Sequence, residues 1–236
     1  MIISVEGNIG TGKSSLIKYL KHHYGTNKNI VFISEPVDEW LKLKDSDGSN
    51  ILGKFYNDQE RWSYTFQMNA FITRCKQILN HDKSGTLIIL ERSIITDRKV
   101  FAQLLYENKK ISKLEWELYN NWFNWLSEAF NVKPDKYIYL YADPETSYSR
   151  IEKRQRAEEK DLVSYEYIKQ VHDKHEEWLK GHSYSTTVNV NSDFVDDIKN
   201  RANIIQQITT IISQNFNVMN VVKNISLQEQ YELLYC

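Results

Sequence analysis

Gly7, Gly12, Lys13 and Ser14 match the spacing G-x-x-x-x-G-K-[ST], inside the run Glu6-Gly7-Asn8-Ile9-Gly10-Thr11-Gly12-Lys13-Ser14-Ser15. In such a run, successive backbone N–H groups form an anion-binding concavity at a helix N-terminus, and glycine lets a phosphate approach closely. Lys13 would reach the outer phosphates, and the Ser14 hydroxyl would ligate magnesium. The alternative is a glycine-rich strand–helix turn without nucleotide. A strand before the run and a helix after it favour the nucleotide. The pattern points to a nucleoside triphosphate and leaves the fate of its phosphate open.

Three further groups could act on a phosphate held there. Glu35 ends an apolar run and precedes Pro36, whose fixed φ and missing N–H suit an exit from a sheet. A carboxylate at that point can take the proton of a hydroxyl attacking the γ-phosphoryl group. From position alone it reads equally as a surface carboxylate beside a turn. Glu91-Arg92-Ser93 ends another apolar run, where phosphate-loop proteins place a carboxylate for the metal. Glu91 suits magnesium or a metal-bound water. Arg92 suits an acceptor oxygen or a charge-assisted bond to Glu35, and an exposed ion pair is the alternative. Arg150 and Arg154 share a helix face, and Arg156 follows them. Arginines closing over a transferring phosphoryl group neutralise its charge, although on pattern alone a charge run of this kind favours a solvated helix face.

The elements that must position these groups are legible in outline. Residues Ile2–Val5, Ile30–Ser34, Thr86–Leu90, Lys136–Tyr141 and Thr186–Val190 read as buried strands. Ser14–His23, Glu60–Leu79, Lys113–Phe130, Pro144–Glu159, Tyr165–Leu179 and Val195–Ser213 carry apolar residues at helical spacing. The alternation predicts an α/β fold with a five-stranded parallel sheet flanked by helices on both faces. Ligands in such sheets sit beyond the carboxyl ends of the strands, where the groups named above converge. The polar stretch Lys42–Gly53 reads as a mobile surface loop. One domain over residues 1–214 is expected, with 215–236 as an extension of no assigned role.

With 236 residues the chain is long enough for a full core without staples. Thirty basic residues against thirty-one acidic ones give a net charge of -1, which argues against gripping nucleic-acid backbone. No apolar run spans a bilayer, and the first residues are too brief for a signal peptide. Two cysteines, Cys75 and Cys236, make no disulfide framework, so a reducing, cytoplasmic setting is expected.

Taken in order, EGNIGTGKSS, SEPVDEW, FYNDQERWSYTFQ, LERSIITDRKVFA, RIEKRQRAEE and HDKHEEWL resemble the deoxyribonucleoside kinases, specifically the deoxycytidine/deoxyguanosine kinase group. The resemblance runs from Ile2 to about Ser213. It implies a P-loop kinase fold with an arginine-rich lid, ATP and Mg²⁺, a deoxynucleoside acceptor and a homodimer. Residue by residue, it implies that Glu35 is the general base and that Arg92 acts beside it. Gln67 resembles the amide that pairs with the base edge. Tyr56 and Glu159 resemble the pair on the sugar 3′-hydroxyl, and Trp40 and Phe101 the aromatic walls. Arg150, Arg154 and Arg156 resemble the lid over the phosphates, and Asp193 and Phe194 the adenine-contacting turn. For Gln67, Tyr56 and the aromatics, periodicity alone favours ordinary core packing.

Arg74 and Asp97 resemble the Arg/Asp pair of the cytidine and purine members, where thymidine-preferring relatives carry smaller apolar residues. An ionised Asp accepts hydrogen bonds and donates none, so it suits the amino group of cytosine or adenine and opposes the carbonyl of thymine. A structural ion pair is the alternative. Three rivals share the phosphate loop. A nucleoside monophosphate kinase usually has an arginine beside the Glu-Pro turn, and this chain has Ser34. A GTPase needs Asn-Lys-x-Asp, and Asn27-Lys28-Asn29-Ile30 lacks the Asp. A catalytically silent scaffold does not call for an intact Lys13, Glu35 and Arg92. The aromatic helix Lys113–Phe130 is wide enough for a core plus a dimer face.

Overall fold

The computed structural model of the chain describes residues 1–25, 27–81, 85–154, 156 and 162–216. The elements run β1 (Ile2–Glu6), α1 (Lys13–Tyr24), β2 (Ile30–Ile33), α2 (Val37–Lys42), α3 (Ile51–Asn57), α4 (Gln59–Leu79), β3 (Leu87–Glu91) and α5 (Ile94–Thr96). A π-helical turn (Asp97–Ala102) continues into α6 (Gln103–Glu107). There follow α7 (Lys113–Phe130), β4 (Lys136–Tyr141), α8 (Pro144–Arg154), α9 (Tyr165–Leu179), β5 (Ser185–Asn189) and α10 (Ile198–Asn215).

The strands form one sheet in the order β2-β3-β1-β4-β5, and every pairing is parallel. The period of two along each strand divides the apolar residues between two cores. Ile3, Val5, Ile89 and Leu140 pack with Leu16 and Leu20 of α1 and Ile204, Ile208 and Ile212 of α10. On the other face Ile2, Ile88 and Leu90 pack with Phe66, Phe71 and Ile78 of α4 and Tyr119 and Phe123 of α7. This is the α/β arrangement expected from the alternation of strands and helices, and it fits the P-loop kinase fold that the resemblance implies, with the site-bearing ends of β1, β2 and β3 side by side. The register puts Val5 opposite Glu91 and Ile33 opposite Leu90. Glu6, Glu35 and Glu91 therefore emerge together at one rim.

Local chemistry sets the helix starts. Ser112 and Glu115 form a reciprocal capping box on α7. Asp58 accepts from Arg61 N at the start of α4, and Asp197 from Lys199 N and Asn200 N at the start of α10. That last cap explains why α10 begins at Ile198 rather than at Val195.

The stretch Lys42–Gly53, read as a surface loop, is an exposed connection between α2 and α3 that closes on itself in a turn. Lys42 closes α2, residues 51–53 open α3, and Lys44 and Asn50 form an antiparallel bridge. Lys54 ties Asp45 and Asp47 at 2.9 and 3.1 Å. The polar run hid this because Asp, Ser and Asn close turns as readily as they populate irregular loops. Meanwhile the anchors Leu52 and Phe55 lie outside the run or at its edge, both buried. The expected helix Pro144–Glu159 is described to Arg154. Glu159 and residues 217–236 lie outside the described residues.

Candidate active site

A cleft of about 940 Å³ opens at the carboxyl ends of β1, β2 and β3 and gathers most of the residues singled out by the sequence. Its floor is the phosphate loop between β1 and α1. Gly10 and Gly12 adopt φ values of 83° and 86° there. A Cβ on Gly10 would lie 2.3 Å from the Ser147 carbonyl oxygen, and one on Gly12 would lie 2.6 Å from Phe194 Cζ. Only glycine fits both the conformation and the space. Asn8 donates from Nδ2 to the Ile168 carbonyl (2.9 Å) and accepts from Ile9 N (2.8 Å), lashing the loop to α9. Thr11 Oγ1 donates to the Asn8 carbonyl at 3.0 Å. Ile9, Gly10, Gly12, Lys13, Ser14 and Ser15 line the cleft, while Gly7, Asn8 and Thr11 give the loop its shape. Lys13 Nζ donates to the Asn8 and Gly7 carbonyls at 2.5 and 3.0 Å. Burial, and then Arg92, lower the Lys13 ammonium well below its usual pKa.

Above the loop stands a buried charge cluster. Arg92 Nη1 donates to both Glu35 oxygens at 3.0 Å. Arg74 reaches Glu35 through Nη2, the Glu91 carbonyl through Nη1 (3.1 Å) and Asp97 Oδ1 through Nε (3.1 Å). Burial pushes the Glu35 carboxyl up, but Arg92, Arg74 and Lys13 outweigh it and hold the group far below the usual carboxylate range. Burial is also the largest influence on Asp97, and there it wins against Arg74, raising the carboxyl to about 6. Ser14 Oγ donates to Glu91 Oε1 at 2.5 Å, and Glu91 Oε2 accepts from Glu35 N at 3.3 Å. Two hard oxygen donors thus face each other at the N-terminus of α1, a donor set suited to magnesium.

Arg92 holds a left-handed backbone, φ 63°, which costs a non-glycine residue on the order of 1–2 kcal/mol. That turn directs its guanidinium across the cleft toward Glu35. The π-helical turn beginning at Asp97 puts Asp97 and Phe101 on the cleft wall. Such turns are rare and concentrate at functional sites. Arg92 Cζ lies 5.0 Å from the Phe101 ring centroid. Opposite, Trp40 packs edge-on to Phe66 (5.2 Å) and donates Nε1 to Thr73 Oγ1 at 3.0 Å. Tyr56 and Gln67 line the same recess. Gln67 Oε1 is buried with no hydrogen-bond donor among the described residues, and so is Asp97 Oδ2. Arg74 Nε lies 2.9 Å from that Oδ2 but directs its hydrogen bond to Oδ1.

Arg150, Arg154 and Arg156 line the outer end of the cleft with Asp193. Arg150 Nη2 also donates to the Asn191 and Ser192 carbonyls, both at 3.2 Å, so it straps α8 to the turn after β5. Of the two residues expected at the adenine-contacting turn, Asp193 lines the cleft and Phe194 turns its side chain away from it. Phe194 is 1% exposed, with its ring packed beneath Gly12 in the core of α1 and α10. The alternation after β5 turns Asp193 out and Phe194 in. Two residues were missed. Tyr167 of α9 lines the cleft, and burial raises its phenol pKa. Its helical spacing marks a packed face and nothing more. Glu6 stands buried behind the loop, signalled only by a carboxylate ending an apolar strand.

Residues 3–213 match the family described as Deoxynucleoside kinase. The chain is 39% identical over 221 residues to a probable deoxycytidine kinase of Fowlpox virus (strain NVSL), covering 90% of this chain and 88% of that protein. It is 34% identical to the deoxycytidine kinase of Homo sapiens, covering 82% and 85%. With the mitochondrial deoxyguanosine kinase of Xenopus laevis it shares 36% identity, covering 75% and 72%. A phosphate loop, a carboxylate clasped by two arginines and an aromatic recess, on a chain matched to the family over nearly its whole length, make this protein a member of the deoxynucleoside kinase family, an ATP-dependent deoxynucleoside kinase.

Proposed function

We propose that this kinase transfers the γ-phosphoryl group of ATP to the 5′-hydroxyl of deoxycytidine and deoxypurine nucleosides in preference to thymidine. The observation that carries the reading is Gln67 Oε1, a buried acceptor without a hydrogen donor among the described residues, beside the Asp97 carboxylate in the aromatic recess. A buried acceptor left unpaired costs about 1–3 kcal/mol, so the recess favours a base edge that brings amino hydrogens. Cytosine and adenine do so. Thymine would set a carbonyl against Asp97. Arg74 leaves guanine open, because its guanidinium can serve a carbonyl oxygen.

In this reading the base stacks on Phe101 against Trp40, and Tyr56 and Glu159 hold the sugar 3′-hydroxyl. Lys13 and the loop N–H groups bind the outer phosphates. Ser14 and Glu91 would hold magnesium, which supplies charge neutralisation between the phosphates. Glu35 accepts the 5′-hydroxyl proton as the new O–P bond forms and the bond from phosphorus to the ADP oxygen breaks. Its two arginines keep it ionised and aimed, at the expense of basicity, so the proton moves late. Arg92, with the lid arginines Arg150, Arg154 and Arg156, balances the charge that develops on the phosphoryl oxygens. Asp193 meets the adenine at the turn after β5.

The same reading makes the protein a cytoplasmic homodimer. Two cysteines in the chain make no disulfide framework, which suits a reducing compartment. On adjacent α4 and α7, Ile72, Leu79, Leu118, Trp122 and Trp125 are exposed, an apolar surface suited to a second copy. The test is phosphate transfer from ATP with magnesium to the four deoxynucleosides, cytidine and thymidine monophosphate. Turnover of deoxycytidine or the deoxypurines with thymidine poor is expected. Thymidine as the best substrate would overturn the specificity, and turnover of the monophosphate alone would overturn the acceptor.

A further inference from the structure

Glu6 is fully buried, is not a cleft residue and plays no part in the chemistry above. Its carboxylate nonetheless gathers four hydrogen bonds. Oε1 accepts from Ser4 Oγ (2.7 Å), Ser93 N (3.1 Å) and Ser93 Oγ (2.7 Å), and Oε2 accepts from Thr96 Oγ1. No cation pairs with it among the described residues. Three of the four donors belong to the segment that follows Arg92, and all three donor residues are fully buried.

The placement brackets the strained residue. Arg92 N donates to the Val5 carbonyl at 3.0 Å, extending the β1–β3 ladder by one step. The next backbone donor, Ser93 N, goes to the Glu6 side chain. Two consecutive residues of β1 therefore hold the peptide groups on either side of Arg92 while its backbone stays left-handed at φ 63°. An unfavourable conformation of this kind persists only where its surroundings over-determine it. The Arg92 side chain supplies little of that restraint near the backbone, since its Nε is buried without a partner. Its fixed contacts are at the far end, Nη1 on Glu35 and Nη2 on the Gly7 carbonyl at 3.4 Å.

We infer that Glu6 is a positioning residue, which locks the turn after β3 through Ser93 and Thr96 and so aims Arg92 at Glu35 and the transferring phosphoryl group. The inference rests on the proposed role of Arg92. Its action is through hydrogen-bond acceptance rather than charge. A glutamine keeps the Oε1 acceptor for Ser93, whereas methionine keeps the bulk and loses both acceptors.

The variants Glu6→Gln, Glu6→Met, Arg92→Ala and Glu6→Met/Arg92→Ala decide it, with kcat counted per folded molecule and KM measured for ATP and deoxycytidine. Glu6→Met is expected to lower kcat on the order of 10²-fold, the cost of a small misplacement of a reacting group. The KM for ATP should hold, and Glu6→Gln should keep most of the activity. The double variant should be no slower than Arg92→Ala, since groups acting as one unit are not additive. Equal losses in Gln and Met would mean that Glu6 acts by charge on Lys13 or Arg74, and would overturn the inference. So would a Glu6→Met loss that multiplies with Arg92→Ala, or one confined to the folded fraction. Arg92→Ala with unchanged kcat would remove the Arg92 role and the inference together, whereas a slow Arg92→Ala beside an unimpaired Glu6→Met would remove only the inference. Should Glu6→Met fail to fold, Thr96→Val removes one anchor and Thr96→Ser restores it. A kcat lost in Val and recovered in Ser supports the lock, and kcat equal in both rejects it.

Discussion

Glu35 shows how one carboxylate is made both fixed and weakly basic. Two guanidiniums occupy its oxygens, so its protonation contributes nothing to the pH profile near neutrality and its geometry contributes most of its value. Glu35→Gln keeps the shape and loses the proton acceptor, and kcat is expected to fall roughly 10²–10⁴-fold with ATP binding retained. Intact turnover in that variant would reject the assignment. We propose that Asp97 carries the pH dependence instead. Its carboxyl, raised to about 6 by burial, is mostly ionised at neutral pH and gains a proton as the pH falls through that value. A protonated Asp97 donates a hydrogen bond and no longer repels the thymine carbonyl. The ratio of kcat/KM for deoxycytidine over thymidine should therefore decline from pH 7.5 to 5.5 in wild type. In Asp97→Asn the ratio should stay flat, and a ratio that is also flat in wild type would rule Asp97 out as the discriminating group.

At the scale of elements, the phosphate loop is gripped from three sides, by α8 at Gly10, by Phe194 at Gly12 and by α9 at Asn8. The constraint at Gly10 is severe because the nearest atom is a backbone carbonyl, 2.3 Å from where a Cβ would be built. A carbonyl in a helix cannot swing aside as a side-chain tip can. Gly10→Ala should therefore displace the loop from α8 and raise the KM for ATP well above wild type, with less effect on the KM for the nucleoside. Equal KM values for ATP in the two proteins would show that the loop relaxes without cost. The segment after β3 is the other decisive element. A left-handed arginine, three residues of α-helix and a π-helical turn aim Arg92, Asp97 and Phe101 into one cleft within ten residues.

For the whole molecule, the parallel sheet gathers chemistry from distant parts of the chain at one edge, and α4 and α7 leave large apolar side chains exposed. Trp122 and Trp125 of α7 are 49% and 56% exposed and pack edge-to-face at 5.9 Å. Large exposed aromatics in one patch mark an interaction surface. If the proposed dimer forms through this surface, Trp122→Glu/Trp125→Glu is expected to convert it into a monomer in sedimentation velocity, with nucleoside binding retained. A wild-type protein that sediments as a monomer across micromolar concentrations would remove the dimer.

The sheet, the order of its elements and the phosphate loop were legible in the chain because they rest on local rules. Short apolar runs rich in β-branched or aromatic residues mark strands of four to six residues, and a glycine-lysine-serine spacing marks an anion cradle. Strand ends also pointed to Glu35, Glu91 and Arg92, since the rim of a parallel sheet is dictated by topology. Other features needed the tertiary structure. The clasp of Glu35 by both Arg74 and Arg92, the rise in Asp97 and the inward turn of Phe194 depend on side chains brought together from residues far apart in sequence. The folded turn at Lys42–Gly53 and the π-helical turn at Asp97 depend on packing that no local spacing announces. Glu6 is the sharpest case. In the sequence it is only the carboxylate after an apolar strand, and in the fold it is the acceptor that two residues of another strand's exit, Ser93 and Thr96, share. The difference is physical: periodicity and backbone conformation are encoded residue by residue, whereas burial, shared hydrogen bonds and electrostatic balance exist only between segments that folding brings into contact.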